Sequence, residues 1–214
     1  MLDLMITLLY QGAYSLFVLL LIALITSLSF HEFGHAIVAK WHGDDTAQRA
    51  GRLTVNPLAH IDAMGLLMVV LVGFGYAKPV PTDPRNFKSK TSDLWVAAAG
   101  PFMNLLLAVV TWNFYLVLRS NGWDNQGGET FFVLLAQINL LLMVFNLIPL
   151  GPLDGHYILP HLLPNGLAQR YRAFNAQYGT RAFLILIVLA IVGVPIFQFL
   201  LELSIVLLGW ITFV

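Results

Sequence analysis

Apolar residues in this chain come in long blocks rather than on one face of each segment. Four stretches, 14–41, 94–118, 131–148 and 182–201, approach the roughly 20 apolar residues a helix needs to cross a hydrocarbon core. They are expected to be transmembrane helices. A fifth stretch, 61–76, is shorter and carries Gly65, Gly73 and Gly75, which weaken a helix. It suits a bent, re-entrant or β-hairpin element buried against protein. The tail from Glu202 to Val214 is apolar but short, and either lies along the interface or folds back. The first block is too long for a signal-peptide core, has no basic residue before Lys40 and lacks a small-residue cleavage pattern, so it reads as a retained spanning helix. The predicted fold is an all-α polytopic bundle of about four to five transmembrane helices in one domain, 1–214, with no solenoid repeat or linker.

Composition narrows the solvent. Only 10% of the residues are charged and 58% are hydrophobic, against about 25% charged in a soluble domain. A lipid bilayer is the expected surrounding. Net charge is zero and the basic residues stand in short groups, so nothing suggests a nucleic-acid partner. There is no cysteine, which excludes disulfides and thiolate ligands together. A metal bound here must take nitrogen and oxygen donors.

Charge also decides topology, because loops facing the cytoplasm carry the excess of Lys and Arg. If 61–76 does not cross, then Lys40, Arg49, Arg52, Lys78, Arg85, Lys88, Lys90, Arg170, Arg172 and Arg181 share one face, leaving Arg119 opposite. If it does cross, the 11 basic residues divide between the faces far more evenly. The re-entrant arrangement is therefore expected, with 78–90 on the cytoplasmic side.

The first block contains His31-Glu32-Phe33-Gly34-His35. Residues four apart share a helical face, so both imidazoles can reach one ion. Glu32, about 100° round the helix, is placed to take a proton from water rather than to ligate. Counting back from Lys40 and Trp41 at about 1.5 Å per residue, His31 lies on the order of 14 Å inside the boundary. Ionisable groups at such depth are costly and mark functional sites.

Catalytic zinc keeps three protein ligands and one open position, so a third donor is required. Asp154 follows the third block in a run, Pro149-Leu150-Gly151-Pro152-Leu153-Asp154-Gly155, that breaks the helix. The re-entrant topology brings that end of the helix back to the side of His31. His156 is a rival ligand two residues on, since some sites use three histidines. His42, His60 and His161 read as interfacial or loop residues. Asn104 and Asn146 are amides near the expected metal, able either to contact substrate or a developing oxyanion, or to bond helix to helix. Ala97, Ala98, Ala99 and Gly100 allow close helix packing, and Pro101 frees a carbonyl of the preceding turn.

These motifs together resemble the site-2 protease family of intramembrane zinc metalloproteases: His31-Glu32-x-x-His35, Gly100-Pro101-x-x-Asn104, and Asn146-x-x-Pro149 leading to Leu153-Asp154-Gly155. The resemblance implies zinc on His31, His35 and Asp154, Glu32 as general base, and Asn104 and Asn146 as substrate or oxyanion contacts. It implies transmembrane proteins or peptides as substrates and regulated intramembrane proteolysis as the process. With no room for a PDZ domain, the chain looks like the compact branch, expected in a prokaryotic cell membrane with the active site toward the cytoplasm. Segments 52–57 and 74–81 also look like that branch. They would either pair with an unwound substrate strand or cover the metal cavity. The alternative class is a divalent-metal or proton-coupled membrane transporter, since buried His and carboxylates also line ion paths. Against it, no inverted repeat is apparent.

Overall fold

The computed structural model describes residues 5–73 and 75–214, so Phe74 of the 74–81 segment and residues 1–4 of the predicted domain lie outside the described residues. A short helix α1 (Met5–Tyr10) leads into α2 (Tyr14–Trp41), followed by the small turns α3 (Thr46–Arg49) and α4 (Pro57–His60). Next come α5 (Ala63–Val72), α6 (Ser92–Ser120), α7 (Gln126–Asn146), α8 (Gly155–Leu162) and α9 (Asn165–Phe174). A π-helical turn, Asn175–Gly179, joins α9 to α10 (Thr180–Ile191), and α11 (Ile196–Trp210) closes the chain. Among the described residues, four continuous helices are long and apolar enough to cross a membrane: Tyr14–Trp41, Ser92–Ser120, Gln126–Asn146 and Asn165–Ile191. The protein is a helical membrane bundle.

The fourth span differs from its sequence expectation. The stretch 182–201 is not one helix, because Gly193, at φ 105°, and Pro195 stop α10 and restart the chain as α11. The span instead extends back through the polar α9.

Helices α2, α6 and α7 form the centre of the bundle. Gly34 makes the α2–α6 approach possible: a Cβ there would stand 2.5 Å from Met103 Cγ and 2.8 Å from the Ala99 carbonyl oxygen. The small residues around Gly100 thus receive α2, as their size predicts. Against α7, the second half of the bundle packs Phe145, Leu153, Phe183, Ile187 and Leu200 into one apolar cluster. At the far end of α6 and α7, Tyr115 and Phe132 stack with centroids 6.0 Å apart, and Trp123 meets both rings edge-on.

The 61–76 stretch begins as the helix α5, capped by the Asp62 side chain and ended by Gly73 in the left-handed conformation. The chain then returns beside it so closely that a Cβ on Gly65 would collide with the Tyr76 backbone. The described residues contain no strand. Of the two alternatives for this stretch, the described residues show the bent helical one: Ala63–Val72 is helical, and Lys78 N–H donates to the His60 carbonyl as the chain returns.

Candidate metal centre

Helix α2 presents His31 and His35 one turn apart, and α6 crosses behind them. Each imidazole is oriented through Nδ1. His35 Nδ1 donates to the Val96 carbonyl at 2.7 Å, and His31 Nδ1 donates to Asn104 Oδ1 at 2.6 Å. Both Nδ1 atoms therefore carry the proton, which leaves an unshared pair on each Nε2. The Val96 carbonyl lies in the turn that Pro101 interrupts, one residue before the carbonyl that this proline deprives of its helical donor.

Asp154 arrives from the opposite side. Helix α7 ends at Asn146, and the chain turns through Gly151, at φ 60°, to reach α8. Asp154 precedes α8 but spends no side-chain bond on capping it. Its Oδ2 lies 3.2 Å from His31 Nε2 and its Oδ1 3.4 Å from His35 Nε2, while the two Nε2 atoms are 3.0 Å apart. One ligand atom from each of the three residues falls within a span of 4.8 Å.

Four unshared pairs thus converge with no proton between the imidazoles, an arrangement that repels unless a cation joins it. Two ligands about 2.0 to 2.1 Å from one tetrahedral ion stand about 3.4 Å apart, close to the 3.0, 3.2 and 3.4 Å seen. Asp154 Oδ2 is buried and receives no hydrogen bond from the described residues. Gly100 keeps the space open: a Cβ there would run into His35 Nε2 and lie 2.6 Å from His31 Nε2 and Cε1. The donor set, spacing and cradle all fit a divalent metal of the zinc type.

Glu32, buried like His31, does not join this set, and its Oε2 accepts the backbone N–H of Val80 at 3.0 Å. The 76–81 segment that supplies Val80 is tied down by Arg52, whose guanidinium donates to the Lys78 and Pro79 carbonyls. His156 turns its Nδ1 to the Leu153 carbonyl at 2.9 Å and is absent from the three-residue cluster. His161 pairs with Asp93 at 3.1 Å, His42 bonds Ser92 Oγ and His60 bonds the Thr54 carbonyl.

The two asparagines differ in setting. Asn146 is part-buried at the end of α7 with its amide nitrogen on the Leu142 carbonyl. Asn104 is fully buried, and its Nδ2 donates to the Ser27 carbonyl at 3.2 Å and to Asn139 Oδ1 at 2.7 Å. The sequence reading passed over Asn139, Ser27 and Asn175. Periodicity held a signal for the first two: Ser27 is four residues before His31 and Asn139 seven before Asn146, each on the same helical face. Asn175 clamps the Asp154 loop, accepting Gly151 N–H at 3.1 Å. Tyr171 adds a hydroxyl on the Pro149 carbonyl at 2.8 Å.

Comparison with known proteins agrees with the geometry. The profile of peptidase family M50 matches residues 19–124 and 120–190. YwhC of Bacillus subtilis is 39% identical over 180 residues, covering 81% of this chain and 82% of that protein. Rip2 of Mycolicibacterium smegmatis is 34% identical over 183 residues, 82% of this chain and 67% of its own length. A zinc metalloprotease of Methanocaldococcus jannaschii is 28% identical over 145 residues, 67% of this chain and 34% of its own. The names of the first two also contain the words zinc metalloprotease. No solved structure matches the chain.

Proposed function

Because the chain belongs to peptidase family M50, we propose that this multi-pass membrane protein is a zinc metallopeptidase cutting peptide bonds within or beside transmembrane segments of other membrane proteins. The observation that carries this reading is the convergence of His31, His35 and Asp154 on one point, with Glu32 on the same helix as the histidines. In this reading those three residues hold zinc. Zinc, when bound, supplies a Lewis acid that polarises a carbonyl and makes water acidic near neutral pH.

The chain's own residues supply the rest. Glu32 takes a proton from the attacking water and passes it to the leaving amine. The Val80 N–H holds one oxygen of that carboxylate and so orients the group for this role. Asn146, part-buried at the break in α7, is placed to hydrogen-bond the substrate backbone. Asn104 has both amide atoms engaged behind His31, which supports the helix-to-helix reading of that residue over direct substrate contact.

A helical substrate hides its carbonyls, so it must unwind before it can react. An apolar cavity of about 590 Å³ between α2, α5, α7, α10 and α11, lined by Leu24, Leu28, Leu142, Phe197 and Gln198, supports entry from the membrane. The Lys and Arg residues within 40–90 and 170–181 support a site that faces the cytoplasm, and in this reading the bilayer is a prokaryotic cell membrane.

The test is cleavage of a panel of single-helix membrane proteins by the purified, detergent-solubilised chain, beside Glu32→Gln, with zinc measured in both. Cutting by the wild type and none by the zinc-loaded variant is the expected result. Proteolysis that survives Glu32→Gln removes the base from this scheme, and absence of zinc from both removes the metal centre.

A further inference from the structure

The two histidines of the cluster are oriented by different kinds of acceptor. His35 faces a backbone carbonyl, which has one sense only. His31 faces a side-chain amide, and an amide rotated by half a turn would present N–H₂ in place of oxygen. Such a rotation would move the His31 proton to Nε2 and take that nitrogen away from a metal. Something must hold Asn104 in the productive sense.

The network behind it does so, and its direction can be read from backbone atoms alone. The Leu135 carbonyl only accepts, so the Asn139 atom 2.7 Å from it is the amide nitrogen, which also donates to Ser27 Oγ at 2.8 Å. Asn139 must then turn its oxygen to Asn104, where it accepts from Nδ2 at 2.7 Å. The Ser27 carbonyl, 3.2 Å from the same Nδ2, agrees with this sense. Asn104 Oδ1 is left facing His31 Nδ1. Ser27 Oγ completes the chain by donating to the Ala23 carbonyl at 2.7 Å. Reversing Asn104 would set its oxygen against two acceptors, the Ser27 carbonyl and Asn139 Oδ1. Ser27, Asn104 and Asn139 are completely buried, so water cannot repair the mismatch.

We infer that Asn139 is a positioning residue for the metal centre: through Asn104 it fixes His31 in the tautomer whose Nε2 faces the metal. The inference rests on the zinc reading above. Helix α7 thereby contributes to the metal centre from its middle, without touching the metal. Packing alone does not require this. Two asparagines in mutual contact could bond α6 to α7 in either sense, but only one sense leaves His31 able to ligate.

Zinc affinity of the full chain in detergent, measured by competition with a chromogenic chelator, tests the idea alongside thermal unfolding of the metal-free protein. Asn139→Leu is expected to weaken zinc binding about tenfold, the lower end of the effect of losing a partner behind a metal ligand. Asn139→Asp keeps an oxygen for Asn104 Nδ2 and is expected within about threefold of wild type. A merely structural amide predicts no such recovery, since both variants lose the Leu135 and Ser27 contacts of the amide nitrogen. Wild-type affinity in Asn139→Leu, or equal losses in the Leu and Asp variants, overturns the inference while leaving the metal centre intact. Absence of zinc from the wild type overturns both. If Asn139→Leu yields no folded protein, Asn139→Ala carries the test: it removes the same oxygen without adding bulk, and an affinity weaker by about tenfold supports the relay. An unchanged value there refutes it.

Discussion

The backbone N–H of Val80 is bound to the carboxylate of Glu32, 48 residues earlier in the chain, at 3.0 Å. Pro79 and Pro81 flank Val80, so it carries the sole N–H of the three residues. Buried Arg52 holds the preceding carbonyls in place. Val80→Pro removes the donor while keeping an extended backbone. Losing a hydrogen bond to a charged group costs about 1.5–3 kcal/mol, so kcat is expected to fall about tenfold or more with zinc content unchanged. Steady-state cleavage kinetics and metal analysis on the same preparation check it, and wild-type kcat would show that Glu32 does not depend on this contact.

Gly100 and Gly34 set different limits on α6 and α2. A Cβ on Gly100 meets the ligand nitrogens, whereas one on Gly34 meets Met103 and the Ala99 carbonyl. Gly100→Ala should abolish stoichiometric zinc. Gly34→Ala should lower stability by about 1–3 kcal/mol, the usual cost of overpacking. Metal content and thermal unfolding separate the two effects.

Asp154 and His156 compete for the third-ligand position in the sequence, and the geometry favours Asp154. Asp154→Asn should lose bound zinc. His156→Ala should keep it, because that ring faces the Leu153 carbonyl. Zinc lost from His156→Ala and kept in Asp154→Asn would exchange their roles.

Asn175 holds the loop that carries Asp154 by accepting Gly151 N–H and donating to the Gly151 carbonyl at 3.4 Å. It sits on the π-helical turn, an irregularity common at functional sites. Asn175→Ala leaves the Gly151 N–H without this partner and should cost about 1–3 kcal/mol, with faster backbone hydrogen exchange in 150–155 than in wild type. Unchanged exchange there would argue against the clamp.

Outside the membrane, completely buried Asp44 ties 42–46 to 83–86. Burial alone would raise its pKa, but donors from Thr46, Asn86 and the Asp83 backbone outweigh it and hold the carboxyl below the usual range. Its contribution to stability is therefore present above the unfolded-state pKa, about 3.9, and is lost as pH falls through the lower folded value. Proteolytic nicking of 80–90 should rise on acidification below that range. Asp44→Asn, which turns an N–H₂ toward some of these donors, should show the nicking already at neutral pH.

Much of the site was legible in the sequence because its parts are local. His31, Glu32 and His35 lie within five residues on one helix, and four-residue spacing is enough to bring the imidazoles together. The glycines and prolines of 149–155 announce a break whose position then offers Asp154. The end of α10 was legible too, in Gly193 and Pro195, but block hydrophobicity ran over them because a hydropathy window does not register turn chemistry.

The sequence by itself thus determined a membrane bundle, a pair of histidines on one helical face with an acid between them in the chain, and a short choice of candidate third ligands. Tertiary structure alone decided which way each polar group points. That Asn104 turns to His31 follows from Asn139 and from Ser27, which is 112 residues from Asn139. That Val80 reaches Glu32 follows from how 76–81 folds back over α2. Hydrophobic period and turn chemistry act between neighbours in the chain, so a sequence displays them directly. The sense of a hydrogen bond between two buried amides depends on a third group across the bundle, and only packed helices bring that group within reach.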